Sequence, residues 1–139
     1  MKKLAVILSM FVCFATCSFA QEEEKQESGV VFENVVYDYG TINKGSDGKC
    51  AFTFTNTSDT PLILTNVRAS CGCTVPSWPR EAINPGESNI IDVKYNTENV
   101  GHFTKRISVF TNKQDTPIIL TITGKVIDPN PVEEVPGNK

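Results

Sequence analysis

The sequence predicts an all-β fold, an immunoglobulin-like antiparallel β-sandwich of about seven strands. Three observations carry that prediction: apolar and polar side chains alternate with period two between residues 30 and 127, turn chemistry recurs about every 8 to 12 residues, and no stretch has a convincing helical period.

Taken in order, Val31 to Thr41 offers a first, irregular strand, and Asn43-Lys44-Gly45-Ser46-Asp47-Gly48 is a turn cluster whose glycines accept positive φ. Cys50, Phe52 and Phe54 then alternate with Ala51, Thr53 and Thr55, giving a strand with one buried face. Asn56-Thr57-Ser58-Asp59-Thr60-Pro61 breaks that strand, and the sequon-like Asn56-Thr57-Ser58 reads as part of the turn. Leu62 to Val67 restarts as a more continuously apolar strand. After Cys71-Gly72-Cys73-Thr74 a loop is expected, because Pro76, Pro79 and Pro85-Gly86 interrupt pairing. Ile91, Val93 and Tyr95 alternate with Asp92 and Lys94, and Asn96 to Gly101 turns the chain. Phe103 to Thr111 brings in Ile107 and Val109, and Thr116 to Val126 brings in Ile118, Leu120 and Ile122 on one face.

The expected core is Phe52, Phe54, Leu62, Leu64, Ile91, Val93, Ile107, Val109, Leu120 and Ile122. Each contributes about 1.5 to 3 kcal/mol of burial. A domain of this size still ends with only about 5 to 15 kcal/mol, so one cross-link is a sizeable fraction of its stability.

Outside this region the composition changes. Met1-Lys2-Lys3 leads into an apolar run, Leu4 to Ala15, and then Ser18-Phe19-Ala20, the basic, apolar and small-residue parts of a signal peptide over residues 1 to 20. The run is shorter than the roughly 18 to 20 residues a bilayer span requires, so no transmembrane span is expected after cleavage at Ala20. The alternative is a lipoprotein anchored at Cys17, although Phe14-Ala15-Thr16 is a poor lead-in for lipid modification. Residues 21 to 29, with Glu22-Glu23-Glu24, read as a disordered linker, and residues 128 to 139, with Pro129, Pro131 and Pro136, as a disordered tail. Cleavage leaves 139 − 20 = 119 residues and, with Lys2 and Lys3 gone, a charge of 11 − 16 = −5. That balance, with only Lys105-Arg106 adjacent, offers no footprint for nucleic acid.

The ordered set Asp38-Tyr39-Gly40-Thr41-Ile42, Phe52 to Thr57, Pro61-Leu62-Ile63-Leu64, Cys71-Gly72-Cys73-Thr74, Asn84-Pro85-Gly86 and Thr111-Asn112 resembles a bacterial family of exported domains of unknown function. That family is similar to Hydin-type immunoglobulin-like domains, and Cys-Gly-Cys-Thr after a Pro-Leu-Ile strand is its most specific part. The resemblance implies that Gly40 ends the first strand, that Asn56 and Thr57 begin a turn, and that Pro85-Gly86 forms a tight loop. It implies no reaction. Cys50 departs from the family's usual apolar residue at that place.

Three cysteines remain after cleavage: Cys50, Cys71 and Cys73. In an oxidising compartment an odd number gives one bridge plus a free thiol, a bridge to another chain, or a metal site. A bend at residues 57 to 61 would set Cys50 level with Arg68 to Ser70, within reach of Cys71 or Cys73; a Cys71–Cys73 bridge would close a very small ring. Antiparallel pairing of the Ile107 strand with the Leu62 strand would carry His102 towards Cys71 and Cys73, a soft set suited to Cu or Zn, or to thiol redox chemistry. Against this, His102 is the chain's one histidine and follows a turn glycine, where an exposed histidine needs no role. Trp78, between Pro76 and Pro79, is either a plug under the long loop or an anchor for a partner.

One histidine excludes catalytic sites built on two, and the carboxylates form no recognisable pair, so no enzyme and no cofactor are expected. The reading that remains is an exported periplasmic or secreted domain, stabilised by a disulfide at the Cys-Gly-Cys motif. It binds another envelope protein, with its first or last strand as the open edge.

Overall fold

Wherever side chains alternate, the backbone is extended and turns one row of residues inward. The computed structural model describes residues 29–131 and consists of eight strands. They are β1 (Val30–Phe32), β2 (Val36–Asn43), β3 (Lys49–Asn56), β4 (Leu64–Ala69), β5 (Thr74–Ser77), β6 (Ser88–Tyr95), β7 (Gly101–Thr111) and β8 (Ile118–Ile127). The expected signal peptide, Cys17, nearly all of the linker and most of the tail lie outside the described residues.

The strands form two four-stranded sheets, ordered β1-β3-β6-β5 and β2-β8-β7-β4. Every expected core residue is buried between them, joined by Val30, Cys50, Val67, Ile83, Tyr95, Phe103 and Val126. Ile83 comes from the long loop, where it exchanges backbone hydrogen bonds of 2.9 and 2.8 Å with Leu62. Tyr95 stacks on Phe103 at 3.9 Å between ring centroids, closing one end of the core. At that end Gly48 touches β6 so closely that a Cβ would lie 2.1 Å from the Tyr95 carbonyl oxygen, which only glycine permits.

Three features depart from the sequence expectation. The single irregular strand expected at Val31 to Thr41 is two strands, because the chain leaves one sheet after Phe32 and joins the other at Val36. The proline-containing loop holds a strand, β5, with Pro76 inside it. Pro76 sits at a sheet edge, the position where a missing N–H donor is tolerated. Finally, the sandwich is antiparallel except that β2 runs parallel to β8. A long crossover through the whole domain separates those two strands in sequence, as a parallel pair requires.

This topology corrects the expected edges. The last strand, β8, lies inside its sheet between β2 and β7; the edges are β1, β2, β4 and β5. The chain passes from edge to edge twice. At residues 33–35 the Glu33 N–H donates to Thr53 of the first sheet at 3.1 Å, and the Val35 carbonyl accepts from Thr121 of the second at 2.8 Å. At residues 70–73 it returns: the Ser70 N–H donates to Arg106 of the second sheet at 2.9 Å, and the Cys73 carbonyl accepts from Asn96, beside the first, at 2.8 Å.

Candidate functional site

The return crossing holds the cysteines. Ser70 ends the register of β4 on β7, and Thr74 opens β5 opposite Tyr95, so Cys71, Gly72 and Cys73 bridge the two sheets. A turn closes here, with the Thr74 N–H donating to the Cys71 carbonyl at 3.3 Å. Cys71 and Cys73 form a close pair with Cα atoms 5.3 Å apart, inside the window for bridging of about 4.4 to 6.8 Å. Both are half-buried, and Gly72 between them is exposed, with nothing within 4 Å of where a Cβ would stand. Cys73 packs against the core. Beneath them Thr74 is 3% exposed, and its Oγ1 lies 3.8 Å from Cys71 Sγ and 3.9 Å from Cys73 Sγ.

A bridge across so short a loop does little for stability. In the chain-entropy account a three-residue loop is worth about 1.6 kcal/mol, against about 3 kcal/mol for fifteen residues. The pair is therefore a weak staple, whatever else it does.

Cys50 is not part of this group. It points into the core from β3, opposite Val93 of β6, whose other neighbour in the same row is Pro76 of β5. Two strand spacings of about 4.8 Å separate β3 from β5, so Cys50 is beyond bridging reach of the crossing. The expected level pairing with Arg68 to Ser70 assumed that the bend at 57–61 folds β4 back onto β3. Instead it carries β4 into the other sheet. Burial pushes the Cys50 thiol up; the neighbouring Tyr39 hydroxyl works against that rise, and the charge of Asp92 adds to it. Burial also pushes the Tyr39 phenol up, helped by Cys50, while the Tyr39 OH donates to the Gly48 carbonyl at 2.7 Å.

His102 is also apart from the pair. The expected antiparallel pairing of β4 with β7 is present, but β7 is 11 residues long and runs past the end of β4. His102 lies four residues beyond Arg106, the partner of Ser70, or about 13 Å along the strand, and it is exposed opposite Lys125 of β8. Among the described residues no group of three His, Cys, Asp or Glu side chains is gathered to hold a metal ion. Trp78 packs partly against the core with the Arg80 guanidinium 3.8 Å above its ring, and its buried Nε1 finds no hydrogen-bond partner among the described residues. Sequence reasoning named Thr74 as the last residue of the Cys71-Gly72-Cys73-Thr74 motif and gave it no role of its own. Its place directly after Cys73 was the available signal.

Residues 30–126 match the profile of a family described as "Protein of unknown function (DUF1573)". The chain belongs to this family. Among curated proteins no sequence matches it. Among solved structures, this DUF1573 chain is similar to a protein of unknown function from Porphyromonas gingivalis W83, with TM-score 0.61 and 20% identity over 69% of this chain and 46% of that one. It therefore spans less than half of that protein. It is also similar to the ASH / PapD-like domain 7 of human CEP192, with TM-score 0.63 and 9% identity over 74% of this chain and 88% of that one. A third likeness is to the Pseudomonas aeruginosa CupB2 chaperone, with TM-score 0.51 and 12% identity over 69% and 55%. At these identities the likenesses establish the fold: a PapD-like and immunoglobulin-like sandwich.

Proposed function

We propose that this DUF1573 domain is an exported, non-enzymatic binding or adaptor module of the cell envelope that receives a partner as an added strand on the β2 edge. The supporting observation is the apolar character of that edge. Val35, Val36 and Tyr37, where the chain enters that edge, are 46%, 55% and 39% exposed, and among the described residues β2 is paired on one side only. Open edges of this kind are usually charged or covered, and an uncovered apolar one is suited to strand addition. CupB2 carries the name chaperone and shares the sandwich, which gives the reading a precedent in fold. Export rests on the amino-terminal sequence, and the mass of the mature protein tests it: a chain starting at Gln21 supports the reading, and a diacylated one starting at Cys17 moves it to a membrane-anchored lipoprotein.

The binding reading is tested by placing a photo-crosslinking residue at Val36 in intact cells, with a control at Val75 on β5, which is 62% exposed. A discrete adduct at 36 and none at 75 is expected, and Val36→Lys should abolish capture of the same partner by the purified domain. Equal labelling at both positions, or none, overturns the assignment of this edge.

A further inference from the structure

We infer that Cys71 and Cys73 are a thiol–disulfide exchange pair: the oxidised pair takes two electrons from a dithiol of a second protein, Cys71 is the sulfur attacked, and Cys73 leaves beside the Thr74 hydroxyl. The inference is independent of which edge receives a partner strand.

The crossing itself does not need a covalent link, since the chain makes the equivalent passage at residues 33–35 with backbone hydrogen bonds alone. A bridge across one intervening residue adds little cohesion, so its chemistry is the more informative property. Access favours attack. The pair lies at the joined edges of both sheets, and Gly72 presents no side chain to an incoming thiolate. The two sulfurs are unequal: Cys73 is packed against the core, so Cys71 is the approachable one.

The leaving sulfur needs its charge stabilised, because a thiol that leaves readily is one whose thiolate is favoured. Thr74 meets that need. Its hydroxyl is buried, lies within sulfur hydrogen-bonding distance of both cysteines, and has those sulfurs as its partners among the described residues. As the bond breaks, its O–H is free to turn to Cys73 Sγ, and a hydrogen bond to the charged form lowers that thiol's pKa.

The steps balance. A substrate thiolate attacks Cys71 Sγ, forming a mixed disulfide and breaking the Cys71–Cys73 bond, and its electron pair leaves on Cys73. The second substrate thiolate attacks the substrate sulfur of that mixed disulfide, releasing Cys71 as a thiolate. The substrate dithiol has lost two electrons to become a disulfide, the cysteine pair has gained them, and the two thiolates take protons from solvent. With a partner disulfide of suitable potential, the same steps run in reverse.

The test uses the full mature chain in mixtures of reduced and oxidised glutathione, followed by alkylation of free thiols and mass mapping. The folded protein should interconvert reversibly, gaining two alkylatable thiols, while Cys50 reacts only after unfolding. Cys73→Ser should trap glutathione on Cys71. Thr74→Val should slow exchange about tenfold, the size of one charge-assisted hydrogen bond, and Thr74→Ser should restore it. A pair that is reduced only when the protein unfolds would overturn the inference. So would trapping on Cys73 in Cys71→Ser with none on Cys71 in Cys73→Ser, or an unchanged rate in Thr74→Val. The trapping experiment leaves Thr74 untouched, so it decides the order of attack even if the valine variant fails to fold.

Discussion

The crossing at 33–35 and the crossing at 70–73 solve one topological problem with different chemistry. The first is bare backbone and borders exposed apolar residues, and the strands it joins are tied away from the crossing: the start of β1 pairs with Asn56, which holds the bend at 57–61, and Tyr39 ties β2 to the turn at Gly48. The second has a cysteine pair at the passage itself. The difference teaches that a chain can change sheets in this fold without covalent help, provided that the strands it joins are held elsewhere along their length. The cysteine pair at the second crossing is therefore additional to the architecture.

That comparison can be broken most severely at Asn56. It is fully buried; its Nδ2 donates to the Thr60 and Ile83 carbonyls at 2.9 and 2.8 Å, and its Oδ1 accepts from the Ser58 N–H and Oγ at 3.0 and 2.7 Å. Asn56→Ala orphans those partners and should cost about 3 kcal/mol in urea unfolding, with an unchanged slope. A loss below about 1 kcal/mol would mean that the first crossing does not depend on this anchor.

Opening the second crossing should cost less. Paired Cys71→Ser and Cys73→Ser substitutions, or reduction alone, should lower stability by at most about 1.6 kcal/mol. A deficit of several kcal/mol on calorimetry would make the pair a structural staple and erase the contrast.

The smallest effect is expected at Tyr39. Tyr39→Phe removes one partly buried hydrogen bond, about 1 kcal/mol at neutral pH, because the Gly48 carbonyl keeps the Tyr95 N–H as a donor at 2.8 Å. Its alkaline signature is sharper. Burial raises the Tyr39 and Cys50 pKa values in the folded protein, so below the ordinary values of about 10 and 8.5 both states hold their protons and the stability is fully present. Above about pH 8.5 the unfolded chain releases protons first, and stability falls with rising pH until the folded groups also ionise. Tyr39→Phe should make that fall shallower, and a limb of equal depth in denaturation at pH 10 would remove Tyr39 from the explanation.

The period-two pattern was sufficient to name ten core residues, all of them buried, because alternation reports directly which side chains face inward. Periodicity does not say which strands are neighbours. The Val31 to Thr41 run hid a change of sheet, since the step between sheets, bent at Glu33 and Val35, is only three residues long and leaves apolar residues on both sides, and Gly40 with φ of 62° marks a later irregularity in β2 rather than the switch. β5 was hidden by Pro76, whose missing donor is harmless only on an edge, a property of topology. The same gap misplaced Cys50: counting back from the bend at 57–61 holds for a hairpin and fails for a crossing between sheets. The Cys71-Gly72-Cys73 motif stood out in the sequence; the buried hydroxyl of Thr74 became visible only once the turn was folded beneath it.

Trp78 gives the second crossing an optical voice. It is the chain's one tryptophan, it follows β5 directly, and it combines a cation over its ring with an indole N–H shielded from water. Its fluorescence therefore has a single source, in an environment unlike either bulk water or a dry hydrocarbon interior. Any loosening of β5 that lets Arg80 lift away or water reach the indole will register as a spectral change. The edge beside the cysteine pair can thus be watched in the unlabelled protein, without perturbing it.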